Sequence, residues 1–321
     1  MILVTGGTGF IGSHLVQRLA ASGEPVRCLV RPNRGKHNLP ANVDVAPADL
    51  SGGAGVERAL EGVDTVLHLA GVTKALDVRA YYDGNARATE TLAKACAGRA
   101  IRFVHVSSLA AIGPSNGGTP VSGEETPRPI SNYGKSKLEA ERVVRDHLPR
   151  AVIVRPPVVY GPRDTDVFQL LKSISKGLVL EIAGGERWFS AIYVEDLVDG
   201  ILASARAPEA EGRDYFLAHP KAISWGELAR VAAGAMGRRP RVIRIPVPLA
   251  YAVGWAGEIW SAVTRTPGII SREKIDEACC AGWVCETRRA AAELGFEART
   301  PLAEGLAKTL AWYKEAGWLT Y

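Results

Sequence analysis

Blocks of apolar residues separated by short polar breaks organise this chain. Ile2, Leu3 and Val4 run without interruption, as a strand buried on both faces requires. Gly6, Gly7, Gly9 and Gly12 follow at once, and His14 to Ala20 then has the 3.6-residue spacing of an amphipathic helix. The pattern repeats. Val26–Val30, Val43–Ala46, Thr65–Gly71, Ile101–Val106 and Ala151–Arg155 read as further strands. Helical spacing appears at Tyr82–Cys96 and from Tyr133 to about His147, and Pro156-Pro157 ends the last of these strands. Strands alternating with helices predict an α/β fold with a doubly wound parallel sheet. The stretch from Gly113 to Asn132, rich in Gly, Pro and Ser, is long enough to be a functional loop over a site.

After Tyr160-Gly-Pro162 the pattern loosens. A helix is expected near Val167–Lys176, a short strand near Ile192, a helix over Glu195–Ala205 and a strand over Asp214–Leu217. Ser224-Trp-Gly-Glu227 reads as a capping box for a helix to about Met236. Val242–Ile245 reads as a strand, and Thr300-Pro301 as an N-cap and first helical position for a last helix to about Trp318. The expected organisation is a dinucleotide-binding domain over 1–162, with later returns to its sheet, and a smaller, mostly helical substrate-binding lid over 163–321. There are no internal repeats.

Length and composition fit such a two-part globular protein. Its 321 residues carry a net charge of +5 with no basic block, which argues against nucleic acid as a partner. Five cysteines without a Cys-x-x-Cys pair signal neither a disulfide framework nor zinc, and fit a reducing cytosol. The histidines show no metal-ligand spacing, and no signal peptide precedes the first strand. Ile243–Val263 is the most apolar late stretch, but Arg244, Pro246, Pro248 and Glu258 break it, so no transmembrane span is expected. Peripheral contact of this segment with a membrane is left open, as is a homodimer.

The glycine cluster has a specific chemical use. A tight turn lets the backbone approach a pyrophosphate, and the following helix offers free N–H groups and a partial positive charge to it. Arg31 stands at the end of the second strand, where an NAD site usually has an acid for the ribose hydroxyls, and Arg34 and Lys36 follow. A guanidinium suits a 2′-phosphate, so NADP is expected, with NAD as the alternative. Asp49 could accept from the adenine amino group or cap the segment that starts at Gly55. His68, inside an apolar run, is expected to be a core histidine. Tyr133 and Lys137, four apart, share a helix face. An ammonium beside the phenol should lower its pKa and suit it to proton exchange with an alcohol or carbonyl, while Ser108 holds the same oxygen.

Taken together, these motifs resemble the extended short-chain dehydrogenase/reductase family over essentially the whole chain. Its look is nearest to the 3β-hydroxysteroid dehydrogenase and dihydroflavonol reductase type. Thr5-Gly6-Gly7-Thr8-Gly9-Phe10-Ile11-Gly12 matches the family's glycine motif, and Asp49-Leu50 matches its adenine-side pair. Leu69-Ala70-Gly71 resembles the stretch passing the cofactor, and Asn85 with Thr89 matches Asn-x-x-x-Thr. Val106-Ser107-Ser108 matches the catalytic-serine strand end. Arg155-Pro156-Pro157-Val158 opens a loop resembling the one that faces the nicotinamide, and Tyr193-Val-Glu-Asp196, Trp283 and Leu294-Gly295-Phe296 resemble later landmarks. The resemblance implies a Rossmann-type fold, catalysis by Ser108, Tyr133 and Lys137, and hydride transfer at the nicotinamide. It also implies cofactor contacts from Gly6, Gly9, Phe10, Ile11, Gly12, Arg31, Arg34, Asp49, Leu50, Leu69, Ala70, Gly71, Asn85, Val106, Pro156 and Val158, besides Tyr133 and Lys137.

Three activities fit that resemblance: net oxidation or reduction, nucleotide-sugar epimerisation or dehydration, and cofactor-dependent redox sensing without catalysis. An intact Ser108, Tyr133 and Lys137 argues against the last. Arg31 favours net reduction. Nucleotide-sugar enzymes often carry Arg-Asp-Phe before the acidic motif; here Arg187 is displaced and Trp188-Phe189 intervenes. Ser108, Arg163, Trp188 and Phe189 are the candidate substrate contacts. The many large apolar groups of the lid, Trp225, Tyr251, Trp255, Trp260 and Trp283 among them, favour a bulky apolar alcohol or ketone over a sugar.

Overall fold

In chain order the predicted runs become β1 (Ile2–Thr5), β2 (Val26–Val30), β3 (Asp44–Pro47), β4 (Thr65–His68), β5 (Arg102–Val106) and β6 (Val152–Arg155). The computed structural model describes residues 1–32, 39–266, 268 and 271–321. The second half adds β7 (Val158–Tyr160), β8 (Leu178–Ile182), β9 (Trp188–Phe189), β10 (Ala191–Tyr193) and β11 (Asp214–Phe216). It then adds β12 (Ile223–Ser224), β13 (Arg241–Ile245) and β14 (Gly282–Trp283). Seven of these form one parallel sheet in the order β11-β6-β5-β4-β1-β2-β3. The chain order reverses between β1 and β4, and a doubly wound sheet opens its ligand crevice at that point, beyond the carboxyl ends. Thr5, Val30, His68, Val106 and Arg155 therefore end on one edge.

The interior runs lack polar breaks because both faces of the sheet are covered. Val4, Leu67, Val104 and Val154 join a core on one side with the helix Phe10–Ala21 and the helix Val194–Arg206. Leu3, Val66 and Phe103 join a second core with Leu92 and Val144 of the helices Ala88–Cys96 and Asn132–His147. The sheet returns the sequence anticipated after residue 162 are β11 and the helix Val194–Arg206, which pack beside β6 and under β5.

The rest of the second half stands over the carboxyl edge. It holds the helices Val167–Ser175, Trp225–Ala235, Val247–Thr264, Arg272–Cys279 and Leu302–Glu315. It is less purely helical than the pattern suggested: β12-β9-β14 form a three-stranded sheet, β8 and β13 a parallel pair, and β7 and β10 another. β10 and β13 lie where strands were expected, near Ile192 and over Val242–Ile245, whereas β7, β9, β12 and β14, of two or three residues each, carry little periodicity. The Gly113–Asn132 loop is clasped by this region, with Ser115 bridged to Gly282 and Val121 to Cys285.

Three local expectations change. The helix predicted over Tyr82–Cys96 contains a π-helical turn, Asp83–Arg87, between two α-helical segments. Asp49 closes its own turn by accepting from the Ser51 N–H at 3.0 Å, and Gly55, at φ 79°, caps the short helix instead. Pro301 takes the N-cap position of the last helix, because the Thr300 N–H and hydroxyl both donate to Asp196, each at 2.9 Å.

Candidate active site

The glycine turn is built by close packing. Gly6 has φ 73°, and a Cβ on it would lie 2.7 Å from the Ala70 nitrogen. A Cβ on Gly12 would lie 2.2 Å from the Gly6 carbonyl oxygen, and one on Gly7 2.3 Å from Cys28 Sγ. Gly9 caps the helix Phe10–Ala21 with no side-chain hydrogen bond, so the first N–H groups, on Phe10, Ile11 and Gly12, stay open to an anion. Gly7, part of the predicted glycine cluster but not of the expected cofactor contacts, is as constrained as its neighbours. Phe10 and Ile11 are half-buried between this turn and the lid core.

Arg31 lies exposed just past β2. Arg34 and Lys36 lie outside the described residues. Leu50 is buried in the core beneath β3, and Asp49 stays half-exposed beside it.

The end of β4 meets the Tyr133 helix through Asn85. The Asn85 carbonyl oxygen accepts from the Val72 N–H at 2.7 Å, and its amide donates to the Val72 carbonyl and the Ser136 hydroxyl. The π-helical turn aims Asn85 inward, and such turns are frequent at functional sites. Gly71 fits between Asn85 and Lys137; a Cβ there would approach Asn85 Oδ1 to 2.9 Å. Leu69 and Ala70 are tied to Thr5, through its carbonyl and its hydroxyl. His68 is fully buried between Thr5 and Thr89, at 2.6 and 2.9 Å, and desolvation pushes its pKa down to about 3. It is neutral and structural, as its apolar run suggested.

Lys137 is buried and donates to the Val106 carbonyl at 2.8 Å. Burial pushes its pKa down to about 8, and nearby Glu141 opposes that. Ser108 follows β5, its hydroxyl accepting from the Ala110 N–H at 3.2 Å, and lies beside Tyr133, whose pKa is lowered by hydrogen bonding with Ser108. The net direction differs from expectation. Burial is the largest influence and raises the phenol above its ordinary value, while charge from Lys274 lowers it and charge from Glu277 and Asp166 raises it. The ammonium expected to do the lowering, Lys137, instead faces the Val106 carbonyl. Pro156, whose carbonyl accepts from the Leu109 N–H, and Val158 on β7 complete this edge.

A buried ionic group supports the Tyr133 helix. Glu141 accepts from the Ser107 hydroxyl at 2.5 Å and from Arg155 at 3.0 and 2.8 Å. Arg155 also reaches Asp214 on β11 at 2.9 Å. Sequence reasoning missed Glu141, although it falls one further turn along the Tyr133–Lys137 face. Glu273 binds the Asn132 N–H and side chain at the helix start, where a carboxylate suits the dipole. Lys274 and Glu277 of the same lid helix are paired at 2.7 Å beside Tyr133, and nothing in the sequence marked them.

A cleft of about 740 Å3 opens in the lid, lined by apolar Leu170, Val179, Leu180, Ile182, Trp225 and Ala278 and by charged Glu181, Glu186, Arg187 and Arg244; Ser108, Tyr133 and Lys137 are not part of its lining. Arg187 donates to the carbonyls of Ile182 and Ala183 at 2.6 and 2.9 Å. Arg163, at φ 72°, donates to Ser13 and so stands over the glycine turn, away from this cleft. Phe189 is buried and stacks on Trp225 at 4.2 Å; Trp188 beside it is half-buried. Among the described residues no group of His, Cys, Asp and Glu could hold a metal ion, and no helix is long and apolar enough to cross a membrane.

The family profile "NAD dependent epimerase/dehydratase family" matches residues 2–218. A "Ceramide reductase" from Caulobacter vibrioides is 32% identical over 99% of this chain and 96% of its own length. The "N-acetyl-alpha-D-glucosaminyl-diphospho-ditrans,octacis-undecaprenol 4-epimerase" of Escherichia coli O157:H7 is 25% identical over 96% of this chain and 94% of its own length. A solved structure described as "MoeE5 in complex with UDP-glucuronic acid and NAD" superimposes with a TM-score of 0.77 at 26% identity, covering 98% of this chain and 99% of that one.

Proposed function

The chain belongs to the NAD dependent epimerase/dehydratase family, as an NAD(P)-dependent enzyme of oxidoreductase type, and from that premise we propose that it uses NADPH to reduce a bulky, largely apolar ketone. The cofactor cradle fits a dinucleotide on the chain's own geometry. Gly6, Gly7 and Gly12 leave no room for a Cβ, and the helix behind them presents uncapped N–H groups. Gly6, Gly9 and the N–H groups of Phe10, Ile11 and Gly12 would hold the pyrophosphate. Arg31 would meet a 2′-phosphate, and Lys137 the nicotinamide ribose. Bound there, the cofactor supplies hydride.

Tyr133 then donates the proton that the reduced carbonyl oxygen takes up, and Ser108 orients that oxygen. The raised pKa of Tyr133 keeps the phenol protonated for this direction of transfer. Asn85 acts at one remove, holding the Val72 backbone and the Tyr133 helix in register.

The observation that carries the substrate class is the lining of the lid cleft. Its walls combine apolar Leu170, Val179, Leu180, Ile182 and Trp225 with charged Glu181, Glu186, Arg187 and Arg244; Arg187 is engaged by backbone carbonyls and Arg244 lies 3.7 Å from Glu181. The apolar part of that lining suits an apolar ketone, whereas a buried diphosphate needs free cations, and both arginines here already face oxygen partners. The 32% identical relative is named for reduction of ceramide, in keeping with this reading. NADPH oxidation followed at 340 nm should report turnover of long-chain or polycyclic ketones. Turnover of a UDP-sugar with none of any apolar ketone or alcohol overturns the proposal.

A further inference from the structure

The helix Val247–Thr264 inverts the usual amphipathic arrangement. Its contact seam is made of small residues: Ala250 and Gly254 are its buried positions, and a Cβ on Gly254 would lie 3.2 Å from the start of the helix Arg272–Cys279. Its large apolar residues point outward instead. Trp255 is 59% exposed, Trp260 69% and Val263 75%, with Leu249, Val253 and Ile259 also exposed. A helix apolar on nearly all sides is ordinarily buried, and an exposed patch of this kind marks an interaction surface. The patch continues into β13, where Val242 and Ile243 are exposed, and onto Leu180 of the paired β8.

Charge identifies the occupant. From Arg238 to Arg272 the chain carries Arg238, Arg239, Arg241, Arg244, Arg265 and Arg272 against one acid in that stretch, Glu258, with Glu181 of the paired β8 lying 3.7 Å from Arg244. Glu258 is itself paired with Arg272 at 2.8 Å. Exposed Trp and aliphatic residues bordered by arginines are the combination that an interfacial helix presents to anionic lipid. Its sequence does not suit spanning: Pro248 and Glu258 interrupt the apolar run, and among the described residues no helix is long and apolar enough to cross a membrane.

We infer that this helix, with β13 leading into it, docks flat on the surface of an anionic phospholipid bilayer. The lid cleft shares Leu180 and Arg244 with the patch, so it opens beside that surface. The significance of that placement rests on the apolar substrate proposed above; the docking itself does not, and it is measured without turnover.

The full-length protein should co-sediment with vesicles of phosphatidylcholine and phosphatidylglycerol (7:3), and at least tenfold less with phosphatidylcholine alone. The double variant Trp255→Ser/Trp260→Ser, and separately Val263→Glu, should each weaken that binding about tenfold or more. NADPH binding at the distant glycine turn should be unchanged in both, which shows that they fold. Absence of vesicle binding by the wild type, or binding that neither variant weakens, overturns the inference. So does a wild-type dimer that the variants convert to monomer by light scattering without vesicle binding, since the face is then covered by a second copy. If docking holds while no apolar ketone is turned over, the substrate reading fails and the docking surface stands.

Discussion

Replacing Glu141 tests whether the ionic group beneath the Tyr133 helix sets both stability and chemistry. Its carboxylate is 4% exposed and accepts three hydrogen bonds, one from Ser107 and two from Arg155. Charge-assisted bonds are each worth about 1.5–3 kcal/mol, but their simple sum overstates the loss, because Arg155 keeps Asp214 at 2.9 Å. Removing one partner of a buried pair costs about 3–5 kcal/mol. Glu141→Ala should fall in that range, and Glu141→Gln, whose amide oxygen still accepts one bond, nearer about 2 kcal/mol. At roughly 2 °C per kcal/mol for a chain of this size, Tm should fall by about 6–10 °C and about 4 °C respectively. A second readout separates position from mere stability. Glu141 holds the Lys137 pKa up against burial, so its loss should move that value below about 8. The alkaline limb of kcat/KM should then shift to lower pH in Glu141→Gln. An alanine variant within 1 kcal/mol of wild type in urea, or an unmoved alkaline limb, refutes the reasoning.

Tyr133→Phe should abolish turnover while NADPH binding by fluorescence titration stays within a few-fold of wild type; near-native turnover would sink the assigned proton donor. Arg31→Asp should cut NADP affinity about 10- to 100-fold, the worth of one charge-assisted contact, and leave NAD affinity equal or better; equal wild-type affinities for the two cofactors would remove Arg31 from that role. His68 should make the protein acid-labile: its folded pKa is about 3 against an ordinary 6.5, so the unfolded chain binds the proton more tightly. Its stabilising effect is complete above pH 6.5 and declines as pH falls toward 3, by about 2 kcal/mol between pH 6.5 and 5. His68→Gln should flatten that part of the urea-midpoint profile, and an unchanged slope would exclude the histidine as its source.

What could be read in the sequence was local. Gly6, Gly9 and Gly12 lie within one turn, Tyr133 and Lys137 within one helical turn, and Ser108 directly after a strand, so short-range spacing carried each of them. The supports came from elsewhere in the chain. Glu141, Arg155 and Asp214 lie on three elements, and β11 joins β6 only because the chain crosses back to the sheet. Lys274 and Glu277 form an ordinary charged pair until the lid sets them beside Tyr133. Thr300 has good capping chemistry and a proline after it, yet Asp196 draws both its donors away. Propensity was overridden there by a tertiary contact that no window of sequence contains. Desolvation likewise reversed the pKa direction expected of Tyr133, because spacing predicts neighbours on a face but not the solvation of the phenol.

The clasp of Ser115 and Val121 by Gly282 and Cys285 also sets an order of events at the ribosome. Strands β1 to β6 and the Tyr133 helix emerge early and can pair among themselves. The loop before that helix stays unfastened until residue 285 has left the exit tunnel, 154 residues after Ser131. At about 5–20 residues per second that interval is on the order of 8–30 s. During it the glycine turn has emerged, but the helix Val194–Arg206 and β11, which complete the core behind it, follow only once residue 216 is out. A truncation before Gly282 therefore removes the bridge partners of Ser115 and Val121 and leaves the stretch ahead of the Tyr133 helix without its clasp.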